Sequence, residues 1–169
     1  MDRIEYIKAS FYNIQELIRF TYQKIGSVLV VCGIEITIFY ELSKVATFSL
    51  GNVSLIAVFA MIFGALFVIS MLVILYISIL GILRPRSARH YNNDQYSTHY
   101  FEHIALSSKE MLTKHIGKLT DKVQIQELSE QLFEVARILH EKNSRCSRVM
   151  VLLFCNIIFL VAYAYSIAR

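Results

Sequence analysis

Tryptophan is absent, and the 169 residues include a single proline and only three cysteines. Without tryptophan, any aromatic belt at a membrane boundary has to be built from the ten tyrosines and from phenylalanine. Cys32, Cys146 and Cys155 are odd in number, show no C-x-x-C spacing and lie in or beside apolar runs. That pattern argues against a disulfide framework and leaves them as small hydrophobes. Charge is sparse and nearly balanced, at 18% charged residues and a formal net charge of +4. So mild a charge, with arginines at the ends of apolar runs where membrane orientation explains them, excludes a dedicated nucleic-acid binder. No G-x-G-x-x-G, Walker loop, G-x-S-x-G or paired-carboxylate arrangement occurs. The expectation is a non-enzyme without a cofactor. A signal peptide is not expected either, because the first apolar run begins near residue 25, after a charged helical segment and without a small-residue cleavage site.

What the chain has in abundance is apolar sequence, 56% of its residues. The longest run, Val53 to Leu83, carries no charge and stops at Arg84, Pro85 and Arg86. It far exceeds the ~18 residues that identify a spanning helix, and in lipid only a helix satisfies its own backbone. At ~1.5 Å per residue it would measure roughly 46 Å against a hydrocarbon core of about 30 Å. Tilt takes up part of the excess, and Tyr76 to Leu83 should emerge at the interface or pack on a cytosolic helix. Ala60 and Gly64 form a small-residue notch for a neighbouring helix or simply face lipid. Pro85 ends the helix by disfavouring helical geometry at Arg84.

Two further spans flank this one. Ile25 to Lys44 is the first, with Glu35 near its middle, where a lone carboxylate is expensive and must be protonated or paired. Val28, Cys32, Glu35, Phe39 and Leu42 share one face, so Glu35 points inward, toward another helix or another protomer. Asn156 in the third span, 149–168, is its candidate partner. The pair reads either as a gating element or as a neutral hydrogen bond within the bundle. Arg84, Arg86 and Arg89 give the positive-inside signature. The N-terminus and residues 84–148 therefore lie in the cytosol and the C-terminus outside.

Before the first span, Ile4, Ile7, Phe11, Ile14 and Ile18 alternate in steps of three and four, the mark of an amphipathic helix over residues 1–24. Its charges are mixed in sign, which favours packing on the protein's own cytosolic helix over lying on lipid. Between the second and third spans, residues 87–107 read as a polar loop. Ser107 and Glu110 form a capping box that opens a helical stretch. Its stripes Leu112, Ile116, Leu119, Val123 and Leu128, Leu132, Val135, Leu139 do not share one register. A kink or turn through Gln124 to Glu127, or two helices, would reconcile them. The fold class is thus an all-α membrane protein: an N-terminal amphipathic helix, three transmembrane helices (25–44, 53–83, 149–168) and a helical cytosolic segment 84–148 within one domain, 1–169.

His99, Tyr100, Phe101, Glu102 and His103 match the H-x-x-E-H pattern of one class of zinc peptidases. Five residues in a short segment, without a third ligand, are too little to read as a metal site.

Lys24 at the start of the first span, Arg84 and Pro85 after the second, Tyr100-Phe101-Glu102-His103-Ile104 and Ser107-Ser108-Lys109-Glu110 resemble the transmembrane effector family of the bacterial pyrimidine cyclase (Pycsar) antiphage system. Gln131, Leu132, Val135, Ala136, Ile138, Leu139 and Lys142 continue the resemblance. The chain departs from the family pattern at Tyr22 and Gln23, where alanine and an acidic residue are usual. The resemblance implies a multi-pass protein of the bacterial inner membrane that responds to a cyclic pyrimidine mononucleotide, cyclic UMP or cyclic CMP, made by a partner cyclase. It would then breach the membrane and abort the infection.

For such a ligand, Arg84 and Arg86 could converge with Lys142, Arg145 and Arg148 on the phosphate. Tyr96, Tyr100 or Phe101 could stack on the base. The alternative is that these cations orient the helices and touch anionic lipid. The expected partners are the lipid bilayer, other copies of the chain and the nucleotide, and not nucleic acid. Two readings stay open beside this one: a non-conducting scaffold that recruits a cytosolic partner, and a related two-helix nucleotide-operon effector.

Overall fold

The computed structural model describes residues 3–46, 55–84 and 107–168, and no strand occurs among them. Helix α1 runs Arg3–Val45, α2 runs Leu55–Tyr76 and continues as a π-helical segment Ile77–Leu83, α3 is Lys109–Ile116 and α4 is Asp121–Ile167. The all-helical membrane fold expected from sequence is therefore the fold observed. Three of the helices, α1, α2 with its π segment, and α4, are long and apolar enough to cross a bilayer.

The chain divides into two compact units. The first takes residues 1–19 and 86–141, the second residues 20–85 and 142–169. In the second, membrane unit, Ile25, Val28 and Cys32 of α1, Phe67, Met71 and Ile74 of α2, Ile82 of the π segment and Cys146, Val149 and Leu160 of α4 form one buried core. Its outer surface is equally apolar: Val30, Ile34, Leu72, Val151, Phe154 and Val161 are left uncovered. A helix that is hydrophobic all round and uncovered on its outer side has lipid as its solvent. The Ala60 and Gly64 notch is filled. Both are buried, and a Cβ added at Gly64 would meet Tyr163 Cε2 at 3.2 Å, so glycine lets α4 come this close.

The first unit bears out the amphipathic reading, since Ile4, Ile7, Phe11, Ile14 and Ile18 are all half-buried while Arg3, Glu5, Lys8, Glu16 and Arg19 are exposed. The stretch is the opening of α1 rather than a separate helix, because no residue between it and the first span breaks the backbone ladder. The stretch between the second and third spans holds two helices among the described residues, but the turn falls at Gly117–Thr120 and not at Gln124–Glu127. The α3 ladder closes at Gly117, whose amide donates to Thr113 O, and α4 opens with Gln124 N donating to Thr120 O and with Asp121 in its first turn, where a carboxylate suits the helix dipole. Of the two stripes, Leu128 is buried and Leu132, Val135 and Leu139 are half-buried, whereas Ile116 and Val123 are exposed. The cap also moves by one residue: Met111 N donates to Ser108 Oγ at 3.2 Å, so Ser108 caps α3.

Candidate functional site

The π segment has a cause in the packing. The buried positions along this helix are Ala60, Gly64, Phe67, Met71, Ile74, Ser78 and Ile82. Steps of three and four alternate up to Ser78, and the last step is again four. Eight residues of α winding would set Ile82 about 80° round the axis from Ile74, and the wider i→i+5 winding brings the two closer to one line. Arg84 N closes the segment by donating to Ile79 O at 3.1 Å. Arg84 itself is extended (φ −58°, ψ 128°), the backbone that a residue preceding proline adopts.

Two cations of α4 meet the carbonyls left open at that end. Lys142 Nζ donates to Ile82 O at 2.5 Å, to Tyr22 OH at 2.7 Å and to Arg84 O at 3.4 Å, and it lies 4.5 Å from the Tyr22 ring centroid. Arg145 Nη1 donates to Gly81 O at 2.6 Å. Lys142 is 2% exposed, and its acceptors are a hydroxyl and two carbonyls. Side-chain cations at a helix C-terminus satisfy orphan carbonyls and offset the negative end of the dipole.

Deeper in the membrane unit, Asn156 joins three helices. Its Nδ2 donates to Glu35 Oε2 at 2.7 Å, and its Oδ1 accepts from the Ser70 hydroxyl, which also lies 3.0 Å from Phe67 O. Asn156 is wholly buried and Glu35 is 4% exposed, while Glu35 Oε1 is buried with no hydrogen-bond partner among the described residues. One turn beyond Glu35 along α1 an aromatic layer closes the packing. Phe39 stacks on Phe67 at 4.6 Å between centroids and meets Tyr163 at 4.8 Å, and Tyr163 OH pairs with Ser43 Oγ at 3.0 Å.

Of the candidate residues, Glu35 and Asn156 are therefore brought together, and the inward face of Val28, Cys32, Glu35, Phe39 and Leu42 is buried or half-buried as expected. Lys142 and Arg145 converge on the end of α2, where Arg84 contributes its carbonyl while the residue as a whole is exposed. Arg86, Tyr96, Tyr100, Phe101 and the H-x-x-E-H stretch lie outside the described residues. Sequence reasoning missed Tyr22 as the partner of Lys142 and Ser70 as the partner of Asn156. A signal for Lys142 was present: it continues the steps Leu128, Leu132, Val135, Leu139, and a cation on a buried stripe demands acceptors.

A model of the Pycsar effector protein domain matches residues 6–168. The chain is also similar to the Pycsar effector protein TpPycTM of Treponema porcinum, with 33% identity over 81 residues, covering 48% of this chain and 70% of that relative. No solved structure matches.

Proposed function

The chain belongs to the Pycsar effector protein family, and from that premise we propose that it breaches the bacterial inner membrane on binding a cyclic pyrimidine mononucleotide, cyclic UMP or cyclic CMP. The chain is a membrane-spanning effector of an antiphage defence system. The observation that carries this proposal is the extent of the family match, residues 6–168, which takes in α3 and all three helices long enough to span a bilayer. In this reading the nucleotide comes from a partner cyclase and meets residues 84–148 in the cytosol, with Arg84, Arg86 and Tyr100 as its contacts. Lys142 and Arg145 act from behind, through the end of α2. The C-terminus faces outward.

Conduction runs between protomers. The interior of one three-helix unit is filled by Phe67, Met71, Tyr163 and the Glu35–Asn156 contact, so a path through the bilayer needs several copies around it. Glu35 and Asn156 act as the gating contact, holding the quiet packing of the protomer. Moving such an assembly from 1:99 to 99:1 requires the nucleotide to favour the open state by about 5.5 kcal/mol.

The test is dye release from liposomes carrying the purified protein, with cyclic mononucleotides and dinucleotides added on the cytosolic side. Release with a cyclic pyrimidine mononucleotide alone is expected. No release with any nucleotide, from folded and correctly oriented protein, would overturn the proposal in favour of a partner-binding scaffold.

A further inference from the structure

We infer that Lys142 and Arg145 clamp the end of α2 in its π register, and that release of the clamp, with return of Ile77–Leu83 to α-helical winding, is the conformational step of the membrane unit. Only the identity of the stimulus rests on the proposed function; the register change stands on the geometry alone.

Four observations converge on this clamp. A π-helical segment of seven residues is rare, and such segments recur at functional sites. Its end is held from outside its own helix, because the donors to Gly81 O, Ile82 O and Arg84 O all come from α4. Lys142 is buried, and a buried ammonium is tolerated only while its hydrogen bonds are made. It therefore has two favourable situations, on its oxygens or in water, with little between them. Finally, the chain passes between its two units at 19/20, 85/86 and 141/142, and Tyr22, Arg84 and Lys142 each lie within three residues of one of those points.

The geometry sets what release does. An i→i+5 turn holds one more residue than an α turn, so relaxation turns Ile82 and Arg84 by about 100° relative to Ile74. Ile82 leaves the core and Arg84 is re-aimed, while α2 up to Ile74 keeps its face. Lys142 is a positioning residue in this scheme: it acts through the carbonyls it holds.

The experiment uses the full chain in liposomes without nucleotide, with Cys32, Cys146 and Cys155 replaced by alanine. Single reporter cysteines replace Ile74 or Ile82 and are labelled with a water-soluble maleimide. With Lys142 present, both are protected. In Lys142→Met the reactivity at position 82 rises at least about tenfold, the equivalent of losing one charge-assisted bond, while position 74 stays protected. Lys142→Arg, which can donate to the same carbonyls, keeps position 82 protected. Unchanged protection at 82 in Lys142→Met overturns the inference. So does joint loss at 74 and 82, which makes Lys142 a residue of the general fold, and so does equal labelling in the Met and Arg variants. Failure of nucleotide-triggered dye release by the unmodified protein bears on the proposed function alone.

Discussion

Replacing Asn156 by leucine removes the centre of the intramembrane polar contact while keeping a side chain of similar size. The structure fixes what is left behind. Glu35 Oε2 loses its donor at 2.7 Å, and Oε1 already has no partner among the described residues, so the carboxyl is buried with no hydrogen bond to them. Ser70 loses its acceptor but retains Phe67 O at 3.0 Å, so its cost is small. Stranding a buried polar group costs about 1–3 kcal/mol in water-soluble proteins. Side-chain hydrogen bonds between membrane helices average about 0.6 kcal/mol and reach about 1.7, because the unfolded segment also finds partners in lipid. With both Glu35 oxygens stranded, Asn156→Leu should cost about 2 kcal/mol. Glu35→Leu should cost about 1 kcal/mol, since Asn156 keeps its bond to Ser70. The double variant strands no polar group, since the Ser70 hydroxyl keeps Phe67 O, so it should cost less than Asn156→Leu alone, with a coupling of at least about 1 kcal/mol. Reversible unfolding of the four proteins by steric trapping in bicelles gives the cycle. Single effects that add to within about 0.5 kcal/mol would refute the contact, as would a larger loss for Glu35→Leu than for Asn156→Leu.

Gly64→Leu should separate α2 from α4 at Tyr163 and lower stability by about 1–3 kcal/mol, as overpacking does. Gly26→Ala and Gly33→Ala, where an added Cβ meets nothing within 4 Å, should stabilise α1 by up to about 1 kcal/mol. Thermal unfolding in detergent ranks the three, and a Gly64→Leu variant as stable as the parent would contradict the close approach. Ser108→Ala should cost α3 about 1 kcal/mol of local stability and speed amide exchange over Lys109–Thr113, leaving exchange in α2 unchanged. Equal exchange in α3 would show that Ser108 is not its cap.

The membrane part of this fold was legible because hydrocarbon imposes a simple rule: an uncharged run longer than the bilayer is thick must be helical. Glu35 was legible for a related reason, since a carboxyl in mid-span has to face protein and Asn156 offered the amide. The continuity of α1 was also written in the sequence. Ile4, Ile7, Phe11, Ile14 and Ile18 step in threes and fours, and Thr21, Ile25, Val28, Cys32 and Glu35, all buried, continue the same count. The polarity change near residue 24 obscured one unbroken register. The π segment was not legible, because a second step of four between buried positions also fits an ordinary α-helix, and the buried face is known only after folding. That Lys142 needs acceptors was legible from its stripe, but which acceptors it and Arg145 take was not. Backbone carbonyls carry no mark in sequence, so two cations near a membrane boundary look alike whether they await a phosphate, a lipid or a helix end.

The same stepping explains why polar groups sit in the core of so apolar a protein. From Leu128 through Leu132, Val135, Leu139, Lys142, Cys146, Val149, Leu153, Asn156 and Leu160 to Tyr163, α4 keeps one seam of alternating three and four, the pattern by which helices interlock side by side. In water, burial of that seam would choose its face. In lipid it does not, because hydrocarbon solvates a leucine as well as another leucine does. What distinguishes the inward face from the outward one is the set of groups lipid cannot satisfy: Asn156 with Glu35 and Ser70 in mid-membrane, and Lys142 with Tyr22 and the carbonyls of α2 at its end. A polar residue on a helical seam gives up stability for a unique register. Here two such layers pin three helices, and they differ in kind. The Asn156 layer is built of side chains that have no access to water, so it fixes the register. The Lys142 layer lies beside the points where the chain leaves the membrane unit and holds backbone carbonyls whose winding can change, so it is the layer at which the register can be altered.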